Sequence, residues 1–328
     1  MKKSLILLLA IVCVVSLLSF DVSAKDKVYK LKYAGVLSAE HPVSRSATIW
    51  AKKLEEMSNG RVTVDLYFSG SMGKSTEVIE YIQQGTLAFS VASSAFFSSF
   101  DKKFDIFSLP YLFRDKDHMY QAVNGEFGEY MNSLLLDDGL RILCYPDSGS
   151  RSVYTKDKPV NTPADMKGLK IRVMSKVAVN SMNALGANGV PIPWGELYTS
   201  LQTGVVDAAE NNPPSIISGK HYEVCKFYSL THHFRTPDIF IMSEKVYQDL
   251  PEDLQKIVVD SIMDVFLPTQ LKLFEEDTQA SLEKVKEYGM TINEIADLTP
   301  FMELTAPVRE DVAKDIGMYE WVKKIEAM

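Results

Sequence analysis

The chain has 328 residues, of which 46% are apolar and 24% are charged. This is ordinary globular composition, and it excludes disordered, collagen-like and multi-span membrane chains. The formal net charge is −8, and no run of Lys and Arg occurs. Because phosphate binding needs a basic face, these features argue against nucleic acid as a partner. An anionic ligand would have to be held by a few local cations.

The first 24 residues have the pattern of a secretory signal peptide. Lys2 and Lys3 precede an apolar run over residues 5–18, and small residues end the segment at Ala24. A membrane anchor is the alternative, but the run is shorter than the roughly 20 apolar residues that a bilayer span needs. The sequence therefore predicts cleavage after Ala24 and export to the periplasm.

From Tyr29 onward the chain alternates segments of apolar period two and period 3.6, which is typical of an α/β fold. The first helical segment ends at Asn59-Gly60, a common helix stop. The predicted elements are strand, helix, strand, helix and strand, over residues 28–34, 42–58, 61–68, 75–83 and 87–92.

Residues 81–93 and 200–212 share one pattern, in which a helix end, a Gln and a Gly lead into an apolar strand. We therefore predict two halves built on one plan, although such a connection is common enough to arise without duplication. Ligands of open α/β sheets bind at the carboxyl ends of strands, so we expect both strand ends to face one cleft. The residues there are Ser93 and Ser94 in one half and Glu210 and Asn211 in the other.

Residues 251–287 form the longest predicted helix, and Pro268 interrupts it. Because proline removes a backbone hydrogen bond, we expect a bend or a change of helix near residues 266–268. The tail over residues 300–328 is again predicted to be helical.

Cys144 and Cys225 are the cysteines that remain after cleavage at Ala24. An even number in an oxidising compartment permits one disulfide. Both cysteines lie in apolar stretches, however, and this context favours two buried thiols.

Several motifs that would indicate catalysis are incomplete. Gly73-Lys74-Ser75 resembles the end of a phosphate-binding loop, but the required glycine is replaced by Phe68. The five histidines show no metal-ligand spacing. No Gly-x-Ser-x-Gly elbow surrounds any serine. The sequence therefore does not predict an enzyme or a metal site.

Arg172 is the strongest candidate for a ligand-binding cation. It lies in a predicted strand between Ile171 and Val173, so its guanidinium is expected beside apolar surface near a strand end. A buried cation needs a partner, which is either an Asp or Glu of the chain or the carboxylate of a ligand. Trp194 offers a flat apolar wall, or it is an ordinary core tryptophan.

Longer motifs carry a resemblance to one family. Residues 166–173 read Met-Lys-Gly-Leu-Lys-Ile-Arg-Val, and residues 191–196 read Pro-Ile-Pro-Trp-Gly-Glu. Residues 204–213 end in Glu-Asn-Asn-Pro, and residues 109–113 read Leu-Pro-Tyr-Leu-Phe. Together they resemble the solute-binding proteins of tripartite ATP-independent periplasmic (TRAP) transporters, of the dicarboxylate-receptor type. The resemblance covers essentially the whole mature chain.

The resemblance implies a periplasmic binding protein-like α/β fold, in which two α/β domains close on a ligand and a long helix braces both. The expected division is residues 25–149 with 237–276 for domain I and residues 150–236 with 277–328 for domain II. The implied role is to capture an organic acid and deliver it to the TRAP membrane subunits. No enzymatic activity, cofactor or nucleic acid is implied. We expect a monomer, because the sequence contains no coiled-coil repeat.

The resemblance also implies roles for single residues. Arg172 falls on the arginine that grips the ligand carboxylate, and Arg151 falls on a second arginine that family members often use. Asn211 matches an asparagine that hydrogen-bonds the ligand, and Trp194 occupies the aromatic position that walls the pocket. The full set of candidate ligand-binding residues is Arg172, Arg151, Asn211, Trp194, Glu210, Ser93, Ser94 and His41.

The identity of the ligand is predicted less sharply than its class. The polar groups at the two strand ends suit a hydroxylated acid, and the motifs are most similar to those of family members that take sugar acids such as uronates and aldonates. Two arginines could also serve two carboxylates, so a C4-dicarboxylate receptor is the first alternative. A solute receptor of an ATP-driven importer is the second, because it would share the export signal and the two-domain plan.

Overall fold

The computed structural model describes residues 27–328, and the predicted signal peptide lies outside that range. The strands are β1 (Tyr29–Ala34), β2 (Val62–Tyr67), β3 (Phe89–Ser93), β4 (Leu140–Cys144), β5 (Arg151–Thr155), β6 (Lys170–Val173), β7 (Asn188–Pro191), β8 (Ala208–Asn211), β9 (Phe227–Phe234), β10 (Asp238–Ser243) and β11 (Thr291–Glu294). Among the described residues, no helix has the length and apolar character needed to cross a membrane.

The helices surround these strands. The α-helices are α1 (Pro42–Met57), α2 (Ser75–Gln83), α3 (Lys116–Val123), α4 (Glu126–Leu136), α5 (Lys176–Ala184), α6 (Trp194–Thr203), α7 (Pro213–Ser218), α8 (Glu244–Gln248), α9 (Glu252–Ser261), α10 (Leu267–Glu287), α11 (Thr299–Asp315) and α12 (Tyr319–Glu326). Short 3₁₀ helices cover Ser94–Ser99, Lys102–Ser108, Pro163–Met166 and His221–Glu223.

Two mixed sheets follow the same plan. The first has the strand order β2-β1-β3-β10-β4, and the second has the order β7-β6-β8-β5-β9-β11. In each sheet three parallel strands are followed by one antiparallel strand, which is β10 in the first sheet and β5 in the second. The two-domain α/β fold implied by the resemblance is confirmed. Because β10 enters the first sheet after β5 to β9, and β11 then returns to the second, the chain crosses between the domains more than once.

The repeated sequence pattern marks equivalent places in the two sheets. Gly85 lies between α2 and β3, and Gly204 lies between α6 and β8. Both glycines have a φ of +77°, a conformation that residues with a Cβ rarely adopt. Since β3 and β8 are the third strands of their sheets, the prediction of two halves on one plan is confirmed.

Helix α1 covers one face of the first sheet. Pro42 opens it, and the fixed φ of proline suits a first helical turn. Trp50 is fully buried, with its ring edge-on to Phe89 and Phe240 at centroid distances of 5.0 and 5.2 Å. The indole Nε1 donates a hydrogen bond to Ser261 Oγ at 2.9 Å. This aromatic cluster therefore joins α1, the sheet and α9.

The longest helical stretch changes type where the sequence places its proline. A π-helical turn over Ile262–Phe266 separates α9 from α10, and Pro268 is in the first turn of α10. A π turn re-routes the backbone hydrogen bonds around the missing proline N–H, so the predicted change of helix is confirmed. Helix α10 packs against α1 of the first domain and α7 of the second. Its Asp277 accepts two hydrogen bonds from Arg45 Nη1 at 2.8 and 3.0 Å.

The last helix belongs to the first domain. Trp321 lies 5.6 Å from Phe127 and 5.7 Å from Tyr130 between ring centroids, and Val322 and Ile325 are buried in the same cluster. Assigning all of residues 277–328 to domain II is therefore wrong for α12, because its apolar face is buried against α4. The other domain boundaries stay predictions.

The two cysteines are separate buried thiols. Cys144 lies in the core around Trp50, whereas Cys225 lies in a core of the second domain. Burial raises the pKa of the Cys225 thiol to about 12 and raises that of Cys144 as well. The expectation of two buried thiols is confirmed.

Gly128 in α4 gives a test of the packing in the first domain. A Cβ at this position would lie 1.8 Å from the carbonyl oxygen of Val123, so Gly128→Ala forces the backbone to move. We expect the free energy of unfolding to fall by about 1–3 kcal/mol, against a gain of about 1 kcal/mol from helix propensity alone. Urea denaturation measures the change. Gly195→Ala in α6 is the matched control, since nothing lies within 4 Å of its added Cβ; equal stability of the two variants would contradict the packing argument.

Candidate functional site

A cleft separates the two sheets at the carboxyl ends of their parallel strands. Its outer part has a volume of about 750 Å³, and a smaller cavity of about 60 Å³ lies at its inner end. Val36, Phe96, Met174 and Trp194 line both spaces, so the cavity adjoins the cleft. The polar and charged residues that line the inner cavity are His41, Ser75, Ser93, Ser148, Arg151, Arg172, Asn211, Asn212, Ser215 and Asp238.

Arg172 has an incompletely satisfied guanidinium. It lies in β6, it is 1% exposed, and its Nε donates to the carbonyl oxygen of Ile192 at 2.8 Å. Its Nη1 is buried and has no hydrogen-bond partner among the described residues. Burial lowers the pKa of Arg172 to about 10, and the charge of Glu210 only partly offsets that effect. The residue therefore presents unused donors and a positive charge to the cavity.

Arg151 is bound tightly by its own chain. Nε donates to Glu210 Oε2 at 2.6 Å, and Nη2 donates to Glu210 Oε1 at 3.0 Å and to the Glu210 carbonyl at 2.9 Å. Nη1 donates to Asn211 Oδ1 at 2.7 Å. Because a guanidinium has five N–H groups, four are used here and one remains. Burial alone would lower the pKa of Arg151, but the charge and hydrogen bonds of Glu210 outweigh it and raise the pKa.

The structure brings six of the eight predicted residues to the inner cavity and leaves two outside it. Glu210 is fully buried, and both of its carboxylate oxygens face Arg151. Ser94 is also fully buried, and its backbone N–H donates to the carbonyl of Pro237. Neither lines the inner cavity, and contact of either residue with a ligand stays a prediction. The residues that do line it are His41, Ser93, Arg151, Arg172, Trp194 and Asn211.

Trp194 forms a wall of the cavity at the start of α6. Its ring lies 5.1 Å from that of His221 between centroids, and Gly219 lies close behind, where a Cβ would be 3.0 Å from the indole. His221 is held in turn by Tyr154, whose hydroxyl is 2.7 Å from Nδ1. Burial lowers the pKa of His221 to about 3, so the residue behind Trp194 is neutral.

His41 joins the two domains. Its Nδ1 accepts a hydrogen bond from the backbone N–H of Val43, which caps α1, and its Nε2 lies 3.4 Å from Ser215 Oγ of α7. Burial lowers the pKa of His41 to about 3, so the ring is neutral. It therefore adds a hydrogen-bonding group to the cavity and no charge.

An ion pair crosses the mouth of the cleft. Lys74, just before α2, donates from Nζ to Glu196 Oε1 of α6 at 2.7 Å. Both side chains are about half exposed, so the pair is screened by solvent and contributes little to stability. Together with the His41–Ser215 contact, it shows that the two domains touch on either side of the cavity.

The sequence did not single out Asp238 or Asn212. Asp238 opens β10 opposite Ser93 of β3, a pairing between residues far apart in the chain. The sequence does contain an indication for Asn212, because it aligns with Ser93 when residues 200–212 are laid over residues 81–93. The side chains of Ser93 and Asn212 each cap the helix that follows their strand. Ser93 accepts a hydrogen bond from the N–H of Ala95, and Asn212 accepts one from the N–H of Ser215. The repeat could thus have identified Asn212, whereas Asp238 required the strand order.

Two α/β domains that enclose an unpaired, buried arginine define a ligand-binding protein for anions. Residues 33–315 match the family of bacterial extracellular solute-binding proteins, family 7 (DctP), and the chain belongs to this family. No cluster of three or more His, Cys, Asp or Glu suited to a metal ion occurs in residues 27–328.

Three similar proteins have known ligands. A TRAP periplasmic solute-binding protein from a Bradyrhizobium species in complex with D-galacturonate is 36% identical, with a TM-score of 0.87 over 92% of this chain and all of that one. One from Chromohalobacter salexigens with bound D-glucuronate is 32% identical, with a TM-score of 0.87 over 90% of this chain and 99% of that one. The 2,3-diketo-L-gulonate-binding periplasmic protein of Escherichia coli is 32% identical over 83% of this chain and 84% of its own length.

The two arginines should respond oppositely to the same substitution. In ligand-free protein, Arg172→Met removes a buried charge whose desolvation is not compensated, so we expect the free energy of unfolding to rise by about 1–2 kcal/mol. Arg151→Met leaves the carboxylate of Glu210 buried and unpaired, so we expect a loss of about 3–5 kcal/mol. Thermal and urea denaturation of dialysed protein measure both changes. Equal destabilisation by the two variants would show that Arg172 is a structural residue.

Proposed function

We propose that this protein is a periplasmic receptor that binds a sugar acid, with a hexuronate as the first candidate, and presents it to the membrane subunits of a TRAP transporter. The observation that carries the proposal is the buried Nη1 of Arg172, which has no hydrogen-bond partner within residues 27–328. A ligand carboxylate would satisfy it with a charge-assisted, two-donor contact. A buried charge without such a partner is a large cost in a protein interior.

The charge balance of the cavity supports one carboxylate rather than two. Arg151 is neutralised by Glu210, so Arg172 is the remaining cation among the described residues of the inner cavity. The other polar lining groups are hydroxyls, amides, a neutral histidine and the carboxyl of Asp238, which suit the hydroxyls of a sugar ring. The bound galacturonate and glucuronate of the similar structures support the same ligand class.

Delivery to a transporter requires that the ligand-bound receptor differ in conformation from the free receptor. The contacts across the cleft, Lys74 with Glu196 and His41 with Ser215, join groups of different domains. A ligand held by both domains stabilises this closed arrangement over an open one. We infer that the closed arrangement is the form that membrane subunits recognise, and that the receptor acts as a monomer without enzymatic turnover.

Isothermal titration calorimetry of the mature protein tests the proposed ligand class. We expect D-glucuronate or D-galacturonate to bind and D-glucose, which has the ring hydroxyls without the carboxylate, not to bind. A thermal-shift screen with aldonates, C4-dicarboxylates and amino acids extends the panel, because a ligand specific to the folded state raises Tm with its saturation. Binding of neutral sugars or amino acids alone would contradict the sugar-acid proposal.

The same titration tests the role of Arg172. Truncating one member of a buried charge pair costs about 2–5 kcal/mol, so we expect Arg172→Ala to weaken binding of the acid by about 30-fold to about 4,000-fold. Arg172→Lys should also weaken it, because the planar two-donor geometry is lost. Arg61→Ala is the control, since Arg61 pairs with Asp253 outside the cleft. Unchanged affinity of Arg172→Ala would exclude a carboxylate contact at this residue.

A further inference from the structure

Asp238 is an acidic residue inside a site whose proposed ligand is an anion. It is 8% exposed and lines the inner cavity together with Arg151 and Arg172. Its position is fixed by the backbone, because its N–H donates to the carbonyl of Pro146 and its strand pairs with Ser93 of β3. A carboxylate in this position opposes the binding of a negatively charged ligand.

The carboxyl of Asp238 is not needed to neutralise an arginine. No Lys or Arg of residues 27–328 lies within 4.0 Å of its oxygens as an ion pair, and Arg151 is already paired with Glu210. The charged and titratable groups that face it are Arg151 of β5, Asp147 before β5, Tyr33 of β1 and Tyr120 of α3, and the hydroxyl of Ser148 hydrogen-bonds to it. Burial raises the pKa of Asp238 to about 7, and the charge of Arg151 offsets only part of that increase.

We propose that Asp238 determines the specificity of the site: its carboxylate accepts a hydrogen bond from a ligand hydroxyl and repels a second ligand carboxylate. The site thereby binds polyhydroxylated monocarboxylic acids and excludes C4-dicarboxylates. This inference rests on the proposed function, in which Arg172 binds the single carboxylate. It adds the residue that separates sugar acids from C4-dicarboxylates.

In the proposed site, Asp238 attracts a sugar acid and repels a dicarboxylate. A hydroxyl of a sugar acid can donate to Asp238, and a hydrogen bond to a charged group is stronger than one between neutral groups. A dicarboxylate offers a second negative charge in place of that donor. Beyond Arg172, the described residues that line the inner cavity include no unpaired cation to bind it. Specific sites commonly combine a favourable contact for the correct ligand with a repulsive one against its competitor.

Calorimetry with Asp238→Asn at about pH 8, where the carboxyl of Asp238 is ionised, tests the proposal. The ligands are D-glucuronate, succinate and L-malate. In the wild type we expect D-glucuronate to bind at least about 100-fold more tightly than either dicarboxylate. In Asp238→Asn we expect this ratio to fall by about tenfold or more, through weaker binding of glucuronate and stronger binding of the dicarboxylates. Asp249→Asn, which removes one exposed charge outside the cleft, should leave the ratio unchanged.

The outcomes separate this inference from the proposed function. If the wild type binds dicarboxylates and no hexuronate, the proposed function itself fails. If it binds D-glucuronate and the ratio is the same in Asp238→Asn, only the role of Asp238 is overturned. Should Asp238→Asn fail to fold, Asp238→Glu keeps the charge, so it should weaken glucuronate while still excluding succinate. Gain of succinate binding by Asp238→Glu would overturn the proposal as well.

Discussion

One buried carboxylate, that of Glu210, decides which of two arginines is available to a ligand. Both arginines are nearly fully buried in the second domain and both line the same cavity. Glu210 binds Arg151 through both carboxylate oxygens and its own carbonyl. Arg172 donates to one carbonyl, and its Nη1 has no partner in the part of the chain that the structure describes. The positive charge of the cavity is thereby concentrated on Arg172. Arg151 is fixed beside it and has one N–H group left to donate.

The two-fold plan of the protein places this charge opposite groups from the other domain. The carboxyl ends of β3 and β8 face one cleft, so Ser93 and Asn211 reach the same cavity from different sheets. Helix α10 packs on both domains, and its Asp277 forms an ion pair with Arg45 of α1. A ligand between the sheets therefore contacts two bodies that share one long helix, which suits a hinged closure.

The parts of the site that could be predicted from the sequence are those with local or family signals. The helix-Gly-strand repeat identified the two strand ends, and the motif around Arg172 identified the buried cation. The pairing of Glu210 with Arg151 could not be predicted, because adjacent strands β5 and β8 bring together residues about 60 positions apart. Asp238 was missed for the same reason, since β10 pairs with β3 only after the chain has passed through β5 to β9 of the second sheet. Helix α12 was misplaced because nothing in its amphipathic pattern says which of two cores its apolar face will cover.

The return of α12 to the first domain affects the order in which the chain can fold. The core around Phe127 stays incomplete until Val322 and Ile325 are available, and the first sheet lacks a strand until β10 has been synthesised. The first domain therefore cannot reach its final structure while only the N-terminal half of the chain exists. For a member of an extracellular family, such a delay is an advantage, because a chain that has not yet folded can still be threaded across a membrane.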